Sequence, residues 1–119
     1  MGMDEGKPFD FEERTFLFAK RVRTLIRKLP QDVCNHEDAR QLARASGSVA
    51  ANYIEANESL GKKDFRMRAR ISHREAKESR LFLRLLLVTE PSVEEERHKL
   101  IAEATELIMI LSRMIHPRE

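Results

Sequence analysis

Four segments of this chain repeat apolar or small residues at alternating steps of four and three. That spacing places them on one side of an α-helix and allows little else. The first set is Phe11, Thr15, Phe18, Val22, Leu25 and Leu29. The second is Leu42, Ser46, Val49, Tyr53 and Ala56, and the third is Phe65, Ala69, Ser72, Ala76, Ser79, Leu83 and Leu86. Val93, Leu100, Ala104, Leu107, Leu111 and Met114 form the fourth. The punctuation between them agrees. Asp10 can cap the first helix with Glu13 completing a capping box, and Pro30 ends it. Asn35 is the expected cap of the second helix, and Gly61 marks the next break. Pro91 closes the third connection, Ser92 is expected to cap the fourth helix with Glu95, and Pro117 stops it.

Helices are thus expected at about 11–29, 35–59, 62–89 and 93–115, with a tail over residues 1–8 and one domain over 9–119. Short connections between amphipathic helices predict an all-α fold, a single antiparallel up-down four-helix bundle. With 119 residues, one modest core is what the chain can build. Helix three shows a second apolar strip, Met67, Ile71, Phe82 and Leu85, and helix four is apolar nearly all round from Leu107 to Ile115. A helix apolar on every side needs a further surface to bury against. The strip is therefore a candidate oligomer interface; a wide core stripe in a monomer is the alternative.

The net charge of +2 conceals segregation. Residues 11–29 carry six basic and two acidic side chains, and 59–88 carry nine against three. Residues 31–58 carry two basic against five acidic, and 89–119 four against seven. On helix three, Lys63, Arg66, Arg70, Arg74, Lys77 and Arg84 share one side, away from the apolar seam. Such a stripe attracts phosphates by counterion release and is the candidate nucleic-acid-binding surface, on RNA or DNA. The competing reading has basic helices one and three laced to acidic helices two and four, leaving the stripe a solvated face.

Polar residues also fall at helical spacing where a core is expected: Gln41, Arg44, Ser48, Asn52 and Glu55 on helix two, Glu75 and Glu78 on helix three. Buried polar groups cost free energy unless each finds a partner, so these are expected to form a structural network that sets register. Ser46 and Ser48, with Ala45, Gly47, Ala50 and Ala51, are expected to permit close helix approach. A carboxylate enzyme or metal protein is the weakest reading. Of His36, His73, His98 and His116, only His98 follows a glutamate by three residues, Glu95, whereas a di-iron bundle wants such pairs on two helices, and there is no HExxH. No catalytic residue, metal or cofactor is therefore expected. The single cysteine, Cys34, cannot form an internal disulfide, and no segment reaches the roughly 20 apolar residues of a membrane span. A cytoplasmic protein is the default expectation.

The residues of helices two and three resemble a bacterial family known as four-helix-bundle proteins, whose founding members are encoded in intervening sequences of the large ribosomal RNA gene. The family pattern runs Gln, Arg-x-x-x-Ser-[Ile/Val]-x-x-Asn-Ile-x-Glu-[Gly/Ala], Lys-[Asp/Glu]-Phe, Glu-Ala-x-Glu-[Ser/Thr]. Matching positions here are Gln41, Arg44, Ser48, Val49, Asn52, Glu55, Ala56, Lys63, Asp64, Phe65, Glu75, Ala76, Glu78 and Ser79. Arg14, Thr15, Phe18, Ala19 and Leu29-Pro30 are similar to the family's first helix. Departures are Tyr53-Ile54, Ala56 in place of the commoner glycine, and Leu81-Phe82-Leu83 where an aromatic pair is frequent. The resemblance implies a left-handed bundle assembling into a ring-shaped homopentamer, with no established enzymatic activity. The accessory variability determinants of diversity-generating retroelements are similar in fold. Those proteins bind nucleic acid and a reverse transcriptase through a basic pentameric barrel. By that analogy the expected function is a non-enzymatic, homo-oligomeric nucleic-acid binder, with a protein partner such as a reverse transcriptase. A protein-interaction scaffold without a nucleic-acid role is the alternative.

Overall fold

A computed structural model describes residues 10–117; the tail expected over residues 1–8 lies outside them. Four helices follow in order: α1 (Phe11–Ile26), α2 (Val33–Asn57), α3 (Lys62–Leu85) and α4 (Pro91–Ile115). Cross-helix bonds establish their directions. Glu12 meets Asn57 while Arg23 meets Ala43 and Ser46. Asn35 meets Leu87 while Ser72 meets Val49. Arg80 meets Thr105 while Arg97 meets Leu83, and Arg14 meets Glu103 while Arg21 meets Glu96. In every pair a later residue on one helix meets an earlier one on the other, so all neighbours run antiparallel. Each helix packs against two neighbours, and the backbones of neither diagonal pair come close. This is an up-down four-helix bundle.

The core lies where the four-and-three spacing places it. Phe18, Val22, Leu25, Leu42, Val49, Leu83, Leu100, Leu107 and Leu111 are all buried. Between α2 and α3 the filling is small: Ala45, Ala56, Ala69, Ser72, Ala76 and Ser79 are buried, and the two helices approach closely. The Ser72 hydroxyl donates to the Val49 carbonyl across that contact at 2.8 Å, which satisfies a buried polar group with no water needed. Ala51, expected in this packing, faces solvent, and Ser48 is only half-buried. Leu29, Tyr53, Phe65 and Met114 sit at the margin of the core, half-buried.

Four helix ends differ from expectation in ways the packing explains. Asp32, not Asn35, caps α2: its carboxylate accepts from the Asn35 N–H at 3.1 Å. Asn35 therefore falls inside the helix, and its side chain turns inward instead. It donates to the carbonyls of Pro30 and Leu87 and accepts from the Leu87 N–H, tying two connections together at one end of the bundle. Ser92 does not cap α4. The helix opens with Pro91, whose fixed φ suits the first helical position, so Ser92 already lies within the first turn. α1 and α3 also end three or four residues early. Bonds of the i to i−3 type tighten the turn after Ile26 ahead of Pro30. At Leu86 the backbone becomes extended, and that side chain is buried. The Arg97 guanidinium reaches back from α4 to the carbonyls of Leu83 and Arg84, answering acceptors that a helix C-terminus leaves free.

The apolar girdle of α4 needs no second surface. α1 and α3 flank α4 on both sides, so Ile108, Ile110 and Met114 pack against the core beside the buried Leu107, Leu111 and Ile115. Met109 is the one apolar side chain of that run that is exposed. Among the described residues no helix is long and apolar enough to cross a membrane.

Candidate nucleic-acid interface

The solvent side of α3 is set by what its other side must bury. Ala69, Ser72, Ala76, Ser79 and Leu83 face the core. At about 100° per residue, Lys63, Arg66, Arg70, Arg74, Lys77 and Arg84 fall within roughly an 80° arc opposite them. Arg66 is half-buried and the other five are exposed. The stripe extends for roughly 30 Å along the helix.

Lacing of acidic against basic helices does occur, but it leaves the stripe alone. Arg14 forms a two-bond fork with Glu103 at 2.7 and 3.0 Å, and Arg21 pairs with Glu96. This lacing consumes cations of α1 against acids of α4. The Glu103 carboxylate in turn raises the Arg14 pKa through its hydrogen bond. Between α2 and α3 the cation is Arg44, shared by Glu75 at 3.3 Å and Glu78 at 2.9 Å. Among the described residues, Lys63, Arg66, Arg70, Lys77 and Arg84 make no ion pair. Arg74 approaches the second Glu75 oxygen only at 3.8 Å. Arg80, on the α4 side of the stripe, bonds to Thr105. His73, at the same edge, has its pKa lowered by burial and then by Lys77 and His116, so it adds little charge at neutral pH.

The motif polar residues do not form a buried network. They lie along the outer flank of the α2–α3 contact, turned by roughly 100° about each helix axis from the buried seam. Arg44 and Glu55 are exposed; Gln41, Ser48, Asn52 and Glu78 are half-buried; only Glu75 is buried. Arg44, Glu75 and Glu78 come together. Asn52 bonds only to Ser48 on its own helix, at 2.9 Å to the hydroxyl. Gln41 bonds to Glu37 instead, and Glu55 stands apart. Glu75 Oε1 is fully enclosed and lacks an aligned hydrogen bond, although Arg44 stands at ion-pair distance. Beside this flank, Met67 and Leu85 are exposed and Ile71 is half-buried. Phe82 differs from expectation: it is half-buried and packs against the core cluster.

Several features escaped sequence reading. Exposed Leu81 joins Met67 and Leu85 on α3, and α1 exposes Phe16 and Leu17, with the Lys20 ammonium 5.7 Å above the Phe16 ring. No periodicity argument flags a residue that simply breaks the pattern. Arg23, which bonds to Ala43 O and Ser46 Oγ across the α1–α2 contact, was equally invisible. The one available signal was Gly47, where an added Cβ would lie 3.3 Å from the Arg23 guanidinium. Among the described residues no group of three or more His, Cys, Asp or Glu is placed to hold a metal ion. Cys34 is free and exposed.

Fold and surface together define an all-α protein of the four-helix-bundle class, with its free positive charge concentrated on one helix. The chain belongs to the 23S rRNA-intervening sequence protein family, whose profile matches residues 8–113. It is similar to a solved structure of a protein of unknown function from the S23 ribosomal protein family of Bacteroides thetaiotaomicron. The two share 26% identity with a TM-score of 0.73, over 87% of this chain and 96% of that one. No curated protein matches.

Proposed function

We propose that this protein is a non-enzymatic, self-associating four-helix bundle that binds the phosphate backbone of RNA or DNA through the outer face of α3. The observation that carries this reading is the set of stripe cations without internal partners. While Arg14, Arg21 and Arg44 pair with carboxylates across helix contacts, Lys63, Arg66, Arg70, Lys77 and Arg84 are left facing solvent or the cleft beside it. Phosphate contacts carry no base code, so binding is expected to be weakly sequence-specific and strongly salt-dependent.

The test is fluorescence anisotropy with a structured RNA and a duplex DNA across a salt series. If all six cations meet duplex phosphates, affinity is expected to fall about a thousandfold between roughly 50 and 200 mM salt. Joint replacement of Arg66, Arg70 and Arg74 by glutamate should abolish binding without lowering helicity. Unchanged affinity in that variant refutes the assignment of the stripe.

Self-association is supported by a separate observation. Met67 and Leu85 are exposed beside the flank where Glu75 lacks an aligned donor. We read this flank as the contact between copies, in the ring-shaped homopentamer that the resemblance implies. Met67→Lys with Leu85→Lys touches no buried residue and should lower the mass measured by light scattering. A protein that is monomeric before substitution removes this part of the proposal. A scaffold role without nucleic acid remains the alternative, and it would be favoured by absence of binding at low salt.

A further inference from the structure

At the end of the bundle where α2 gives way to α3, a cleft of about 470 Å³ opens beside the head of the stripe. Its walls are chemically divided. Leu60, Phe65 and Met114 offer apolar surface, while Lys62 and Arg66 offer cations. Neither cation makes an ion pair among the described residues, and Arg66 belongs to both the cleft and the stripe. The volume lies within the range of small-molecule sites. Gly61 forms part of the rim and brings no side chain to the start of α3.

An anionic group joined to a flat apolar one is what this division of walls accommodates. We propose that the cleft binds one unpaired nucleotide: phosphate toward Lys62 and Arg66, base against Phe65, Leu60 and Met114. The inference rests on the phosphate-binding reading of α3 for the source of the nucleotide, a chain whose backbone continues onto Arg70 and Arg74. It adds a preference that the stripe alone cannot confer. Base stacking on an aromatic face is available only to an unpaired base, so RNA with an unpaired nucleotide should bind more tightly than a fully paired helix of equal charge.

The cleft is tested apart from the stripe by methyl NMR of Met114 in the full chain, titrated with AMP, adenosine and inorganic phosphate. AMP is expected to give a saturable shift at roughly tenfold lower concentration than either component. No shift with any of the three overturns the proposal. A response to phosphate as strong as that to AMP overturns the base-binding part and leaves an adventitious anion only. Gly61→Asp supplies the control for folding. The backbone at Gly61 is extended and an added Cβ there meets nothing within 4 Å, so aspartate fits, caps α3 and sets a carboxylate at the rim. Its melting temperature should not fall, and its AMP response should disappear; an unchanged response refutes the site. Arg70→Glu with Arg74→Glu lies outside the cleft and should keep the AMP response even where RNA affinity is lost. The two readings therefore fail separately.

Discussion

Asn35→Leu is expected to destabilise the fold by about 2–4 kcal/mol. Asn35 is 3% exposed and satisfies three groups from two connections. Its amide donates to Leu87 O at 2.8 Å and to Pro30 O at 3.3 Å, and its carbonyl accepts from Leu87 N at 2.8 Å. Leucine is close in size, so little volume is lost and the cost is almost wholly electrostatic. It leaves the Leu87 N–H and C=O without their partner, at roughly 1–3 kcal/mol for each group that stays dry. The Pro30 contact is long and adds little. Leu87 itself is exposed, so water can reach part of its backbone, which holds the sum near the lower half of what two dry groups would cost. Urea unfolding followed by circular dichroism measures the change, with an unaltered slope as the sign that the unfolded state is unaffected. Asn35→Asp retains the acceptor for Leu87 N–H but sets a carboxylate against two carbonyls, and should be no better. A loss below about 0.5 kcal/mol for Asn35→Leu would show that the two connections are not joined through this side chain.

Asp32→Ala should cost about 1 kcal/mol and Ser92→Ala almost nothing, since of the two only Asp32 caps a helix; equal effects in urea unfolding would contradict the assignment. Arg97→Met should cost roughly 1–2 kcal/mol by freeing the carbonyls of Leu83 and Arg84 at the end of α3, and hydrogen exchange should speed up in that last turn first. Asn52→Leu should be nearly neutral, because Asn52 serves only Ser48 on its own helix; a loss above about 1 kcal/mol would restore the buried network expected from sequence. The His73 pKa is lowered in the fold, so the unfolded chain binds its proton first as pH falls. Its contribution is intact above the ordinary histidine range and is lost as pH drops through it, and His73→Gln should flatten that part of the stability profile.

The sequence was most readable where burial repeats. Val22, Leu42, Ala76 and Leu107 are buried because each stands at a regular step on its helix, and a helix that follows that step has no other way to hide them. Small residues announced the close α2–α3 contact for the same reason. Helix ends were less readable. Asp32 and Asn35 are both competent caps three residues apart, and the choice between them depends on Leu87, which lies far away in the chain. Ser92 looked like a cap until Pro91 took the first helical position.

The motif residues show the limit most clearly. Arg44, Ser48, Asn52 and Glu78 repeat with the regularity of a core face, yet they lie on the flank of the α2–α3 contact. A periodic stripe fixes which residues share a side, but it cannot say whether that side meets the centre of the bundle or its edge. The sequence alone determined the helical class, the number of helices, most of the core and the placing of the cations of α3 on one side, because these follow from backbone periodicity and side-chain volume. Tertiary structure alone decided which cations are spent. Arg14, Arg21 and Arg44 meet carboxylates across helix contacts, while Lys63, Arg70, Lys77 and Arg84 meet none, and only the distances between helices could separate the two groups.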